Sequence, residues 1–443
     1  MSRNIYWCTA IAALLGHPLS ALAASDADLQ SLREQIRQLQ QSNVQLEQRL
    51  QQDESAAVQQ PARSSAPPSS ANSFNPAVSL ILSGTYEQLQ QDPAIPITGF
   101  AMSPNNTGYA RGFSLQESEL GIAADIDPLF SGVGTFALAP EGGISVENGF
   151  VQTSALGNGF NLKFGRFFSG LGYLNEQHSH VWDFVDQPLV YRVMWDNQYG
   201  DDGVQLKWLA PTDMFVEIGG ELGRGLGVTG TDQNNNGAGS RVLFAHIGDD
   251  IGIEQSWRAG VSLQQSRRVD ENSNAVDASG MPITGLTNSF TGDSRTAGLD
   301  FVWKYSPNGN IRERYLKVQG EYFQRRENGL LSDSLANTGS YAVTQSGWYL
   351  QSVYQFMPEW RTGLRYDRLD PGVADTGAGI PPNVTGNYAF NPARLTWMAD
   401  YNPSEFSRIR LQLARDNSRQ GLADNQLFVQ YIMALGAHGA HQY

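Results

Sequence analysis

Along most of the chain, apolar and polar positions alternate one by one. VQLKWLA (204–210), FVEIGGEL (215–222), TAGLDFVWKY (296–305), YLKVQGEYF (315–323), WRTGLRYDRL (360–369) and SRIRLQLAR (407–415) carry apolar or aromatic residues on one parity and polar residues or glycine on the other. Leu299, Phe301, Trp303 and Tyr305 interleave with Asp300, Val302 and Lys304; Leu316, Val318 and Tyr322 interleave with Lys317, Gln319 and Glu321. Period two marks strands whose faces meet different media, one apolar and one wet. The pattern predicts about sixteen strands between residue 76 and the C-terminus.

The connections sharpen this reading. Tight turns are expected at 127–132, 156–159, 210–213, 248–252, 306–310, 357–359 and 402–405. Between them fall mostly long, polar connections at 90–112, 169–201, 224–239, 266–293, 328–343, 371–391 and 417–424, with a short exception near 140–143. Short and long connections therefore alternate, as in a transmembrane β-barrel with short periplasmic turns and longer outer loops. Closure also removes sheet edges, which lipid cannot satisfy. The expected fold is an all-β antiparallel barrel spanning 74–443, with both chain ends on the short-turn side.

Upstream the period changes. Leu29, Leu32, Ile36, Leu39, Asn43, Leu46 and Leu50 recur at alternating spacings of 3 and 4, a heptad seam within residues 26–54. This predicts a short coiled coil in the periplasm, with Asn43 as a register-fixing polar core position; the alternative is an amphipathic helix lying on its own domain. The seam leaves dimer or trimer open. Residues 55–73, rich in Ser, Ala, Pro and Gln, form a linker unable to build a core. Residues 1–24 have the layout of a signal peptide: Arg3, a short apolar run around Ile11–Leu15, and Ala21-Leu22-Ala23 before the cleavage point. The single cysteine, Cys8, would leave with it, so no disulfide or cysteine metal site is expected.

Composition agrees. Charged residues make up 17%, against 46 Gly, 17 Tyr, 20 Phe and 9 Trp. The net charge of −14 argues against nucleic acid as a partner. No Gly-x-Ser-x-Gly elbow, His-Glu-x-x-His or recognisable carboxylate pair is present, so no catalytic activity is expected.

Signal peptide, heptads, Pro/Ser linker, strand pattern and the terminal aromatic Tyr443 after LFVQYIMALGAHGAHQY together resemble Gram-negative trimeric porins, nearest in type to the phosphate-selective porin O and P-like group. That resemblance implies a homotrimer joined by the coiled coil, in contact with outer-membrane lipid and lipopolysaccharide and inserted by the barrel-assembly machinery. It implies passive diffusion of small hydrophilic solutes or ions. FNPAVSLILSGTY, GRFFSGLGYLNEQHSHVWDFVDQPL, DGVQLKWLAPTD and LGAHGAH also look like a bacterial family of outer-membrane barrels, some described as zinc-linked or as TonB-dependent receptors. A receptor-like metal uptake protein and a tether or adhesin without an open pore are the alternatives, the former weakened by the lack of room for a plug domain.

The connection 169–201 is long and aromatic, and in general porins the third outer loop folds inward. Trp182, Asp183 and Asp186 are therefore expected in a constriction, the alternative being a loop packed against a neighbouring subunit. Pore-lining candidates on the wet parity are Lys163, Lys207, Lys304, Lys317, Arg361, Arg365, Arg408 and Arg410, opposed by Glu217, Glu221, Asp300, Glu321 and Asp367. The basic lean would favour anions, unless the charges pair among themselves. His178 with His180, and His438 with His441, are candidate zinc ligands, with Glu176 or Asp183 as possible third donors; the alternative is polar lumen or interface residues. No cofactor beyond that possible zinc is expected.

Overall fold

In the computed structural model, residues 76–436 are described, apart from 103–108, 117, 139–141, 155, 226–235, 278–280 and 381–388. The expected signal peptide, coiled coil, linker, His438, His441 and terminal aromatic lie outside the described residues.

The strands run β1 (Ala77–Leu89), β2 (Gly112–Leu115), β3 (Ser118–Asp125), β4 (Phe130–Leu138), β5 (Ile144–Thr153) and β6 (Phe160–Phe168). Next come β7 (Gly200–Leu209), β8 (Phe215–Gly223), β9 (Ser240–Ile251), β10 (Gln255–Val276), β11 (Pro282–Tyr305) and β12 (Tyr315–Asp333). The last are β13 (Thr338–Met357), β14 (Trp360–Asp370), β15 (Ala393–Ser404), β16 (Ser407–Arg419) and β17 (Leu422–Gly436). From β3 onward each pairs antiparallel with the next, and β1 closes the ring against β17, with Tyr86 opposite Val429. Both β2 and β3 pair with β1, with Tyr86 opposite Phe113 and Leu80 opposite Leu120, so they form one interrupted stave. The result is a closed antiparallel barrel of sixteen staves.

All seven tight turns fall where the alternation places them. The long loops differ in part. Segment 266–293 is mostly strand, since β10 and β11 pair as far as Val276 opposite Pro282. Segments 328–343 and 417–424 shrink to short turns as well. Polar residues there occupy both parities, those on the inner one buried, so composition resembled a loop while the ladder continued. Strands β10–β13 have 19 to 24 residues, roughly 50–60 Å at strand rise and barrel tilt, well beyond an apolar band of about 25 Å.

The outer face is apolar: Leu243, Leu263, Leu299, Leu350, Leu364 and Leu395 are each more than half exposed. Towards the short turns stand outward aromatic pairs, Trp303 with Tyr305 and Trp360 with Tyr401, the latter with ring centres 4.7 Å apart. They form the girdle expected at a lipid–water boundary. At the opposite, loop-side end, the lipid-facing parity changes abruptly to arginine. Arg241, Arg267, Arg295, Arg326, Arg368 and Arg415 stand on the outward parity, each at the loop-side end of its strand's row of apolar or uncharged outward positions.

Candidate functional site

The segment 169–199 leaves β6, enters the barrel and carries the short helix α1 (Leu189–Trp195), every residue of which is buried. Its apolar residues Leu171, Leu174, Leu189, Val190, Tyr191 and Trp195 pack with Phe244, Phe323, Tyr349 and Leu369 from the wall. The first loop contributes Ile97 and Phe100 to the same cluster. A lumen filled with water would not place Phe244 and Phe323 on the wet parity. These residues are the wall's seat for the loop.

Hydrogen bonds fix the seat. Glu321 accepts from the backbone N–H groups of Tyr173 (2.9 Å) and Leu174 (3.1 Å) and from the hydroxyls of Tyr191 (2.8 Å) and Tyr349 (2.5 Å). Gly172 has φ +68°, and a Cβ there would lie 2.2 Å from Glu321 Oε2. The glycine lets the backbone reach that carboxylate. Asp367 accepts from the N–H of Leu189 at 3.0 Å, at the start of α1.

Ahead of the helix the loop offers two carboxylates to a basic wall. Asp183 meets Lys317 at 2.5 Å and Arg361 at 3.2 Å. Asp186 meets Arg365 at 2.9 Å and Arg394, and accepts from Tyr109 (2.5 Å) and Gln412 (2.9 Å). Burial alone would raise both carboxyls. Lys317 and Arg361 nevertheless hold Asp183, and Arg394 and Arg365 hold Asp186, well below the ordinary carboxylate range. The main-chain oxygen of Trp182 accepts from Arg408 (3.2 Å) and Arg410 (2.6 Å).

The eight basic candidates, with Glu217 and Glu221, stand on the inner wall, but they divide into two sets. Arg361, Arg365, Arg408 and Arg410 are occupied by the loop and by Asp400 and Asp367. Lys317 joins them through Asp183. Lys207 pairs with Glu176 at 2.9 Å and Glu217 at 3.7 Å. Glu217 also meets His246 at 3.1 Å, and Glu221 accepts from the Gly170 N–H at 2.9 Å. Lys163 instead lies over the rings of Phe150 and Phe167, and Lys304 lies in the field of Lys317, Asp183 and Arg258. Arg394, Arg258 and Tyr109 are participants that the alternation pattern did not single out. Arg394 could have been found from the wet parity of β15.

His178 and His180 are brought together, their rings stacked with centres 5.8 Å apart. The carboxylates beside them are neither Glu176, which meets Lys207, nor Asp183. They are Glu119 of β3 and Glu147 of β5. His178 Nδ1 lies 3.3 Å from Glu119 Oε2 and 3.1 Å from Glu147 Oε2, while His180 Nδ1 lies 2.9 Å from Glu119 Oε1. Asn148 Nδ2 lies 2.8 Å from His178 Nε2. Burial pulls the His178 imidazole down, but Glu119 and Glu147 carry it up to about 10.

No family model matches the chain. Among solved structures it is similar to a loop-deletion mutant of OmpT, an outer membrane protein of Vibrio cholerae, with a TM-score of 0.50 and 12% identity over 82% of this chain and 99% of that one. The anion-selective porin from Comamonas acidovorans aligns with a TM-score of 0.49 and 13% identity, over 82% of this chain and 99% of that one. The first likeness agrees with the sixteen-stave barrel. In sequence, an "uncharacterized protein" of Aquifex aeolicus (strain VF5) is 32% identical over 354 residues, 75% of this chain and 70% of that protein. The chain belongs to the same family of proteins as this Aquifex aeolicus relative.

Proposed function

We propose that the protein is an outer-membrane channel for passive diffusion of small hydrophilic solutes or ions, with an aperture set by segment 169–199. The observation that carries this reading is the docked loop. An ordered segment is held inside a barrel with an apolar exterior and a polar inner wall, through ion pairs to the inner wall. A purely structural tether has no need of such a wall. Pairing cancels much of the basic lean, so selectivity is a mild anion preference resting on Lys163 and Arg258 rather than a phosphate-specific ladder.

The outward arginines at the loop-side end support a leaflet rich in anionic headgroups, as lipopolysaccharide supplies, and hence the outer membrane. The heptads at 29–50, together with the resemblance to trimeric porins, support a homotrimer with a periplasmic stalk. Planar-bilayer recording of the refolded full chain tests the reading. Stepwise current in groups of three is expected, with a reversal potential shifted modestly towards that of the anion. A protein that inserts but stays silent would favour the tether instead.

A further inference from the structure

We infer that Glu119, Glu147 and His178 form a binding site for one divalent transition-metal cation, with His180 orienting Glu119 from behind. One ligand atom from each of the three residues lies within 4.8 Å of the others. Metal–ligand bonds of about 2.0–2.1 Å place tetrahedral ligands about 3.3 Å apart. The observed separations from His178 Nδ1, 3.3 Å and 3.1 Å, are of that size. One imidazole with two carboxylates is a borderline donor set, suited to zinc or cobalt(II) more than to calcium or magnesium.

Two further observations point to a built site. The first is the backbone of β5. Thr135 pairs with Asn148 and Phe136 pairs with Val146, so Glu147 is the extra residue of a β-bulge. Adjacent residues of a regular strand point to opposite faces. Here Glu147 and its neighbour Asn148 both reach the ring of His178, one at each nitrogen. Bulges commonly re-aim a side chain beside a functional site. The second is the choice of partners. Asp183, Asp186 and Glu176 of the same loop all meet lysine or arginine, whereas Glu119 and Glu147 meet imidazoles. A cation bound there would displace the His178 Nδ1 proton, supply fixed positive charge as the wall does for the loop carboxylates, and join β3, β5 and the loop through one centre. His180 bonds the other oxygen of Glu119, as second-layer partners of metal ligands do.

The binding readout is independent of whether the barrel conducts. The chelator-treated full chain, refolded in detergent, is titrated with cobalt(II) and followed by its visible d–d absorption, then challenged with zinc. One cobalt per chain, displaced by zinc, is expected. His178→Ala should weaken cobalt binding by more than about 100-fold and His180→Ala by about 10- to 100-fold, while His438→Ala with His441→Ala should leave it unchanged. Glu147→Gln keeps the side-chain volume and should also lose the band, so it decides the matter if His178→Ala does not fold. A missing band in the wild type, a band surviving Glu147→Gln, or a band that follows the C-terminal pair would overturn the site.

Discussion

Replacing Asp186 by Asn removes the charge that holds the middle of the loop. In the native barrel this carboxylate is buried and faces two guanidiniums, Arg394 and Arg365. The two lose unequally. Arg365 keeps Asp367 at 3.0 Å and the main-chain oxygen of Asp186 at 2.7 Å. Among the described residues, Arg394 keeps only the neutral Gln426 at 2.7 Å as a direct hydrogen-bond acceptor. Arg394 is fully buried, and stranding one member of a buried pair costs about 3–5 kcal/mol. At about 1.4 kcal/mol per decade, the ratio of docked to undocked loop falls by roughly two to three and a half powers of ten. The barrel ladder is untouched, so circular dichroism should report unchanged strand content. Single-channel recording should show larger conductance and more open-channel noise. Asp186→Asn with Arg394→Gln removes both charges and should recover part of the loss, because the uncompensated cation is then gone. Wild-type conductance and noise in Asp186→Asn would refute the claim that this ion pair seats the loop.

Acid should leave the seat intact until well below neutral. Asp183 and Asp186 have folded-state values depressed from an ordinary 3.8, so their contribution is complete above about pH 4 and lost only as pH falls through the lower folded values; conductance rising already between pH 7 and 5 would contradict this. Gly172→Ala forces a left-handed alanine and a 2.2 Å approach to Glu321, a combined cost of about 2–5 kcal/mol; a lowered loop-unfolding midpoint in thermal melts is expected, and an unchanged one would mean the backbone does not need that close approach. Lys304→Glu places an acid beside Lys317 and Arg258; the reversal potential in a salt gradient should move towards the cation, and an unmoved potential would take Lys304 out of the conducting path.

The barrel was legible because lipid imposes a local rule. Each lipid-facing residue is apolar for its own reason, and the parity survives without knowledge of its neighbours. Leu299, Phe301 and Trp303 announce the outer face of β11 by themselves. Where lipid ends, the rule ends, and that is where the reading failed: the upper parts of β10 and β11 have polar residues on both parities, yet their ladder continues from Ser266 opposite Ser294 to Asn274 opposite Thr287. Hydrogen bonding between backbones leaves little trace in side-chain composition once both parities are polar.

The site was legible in its residue types and illegible in its pairings, for a related reason. Asp183 and Asp186 could be named as loop acids, and Arg361 and Arg365 as wall bases, but their meeting spans nearly half the chain and depends on how far the loop descends. Phe244 and Phe323 were the available clue: large apolar residues on a wet parity require something dry in the lumen. The histidine pair shows the limit most clearly. His178 and His180 suggested donors close in sequence, Glu176 and Asp183, whereas the barrel brings Glu119 and Glu147 from two wall strands. Strict alternation would aim Glu147 and Asn148 to opposite faces, and only the bulge opposite Thr135 and Phe136 aims both at one ring. A bulge is a fault in register between two strands. Its position therefore belongs to the pair rather than to either sequence, and a ligand set built on it appears only when the strands are laid side by side.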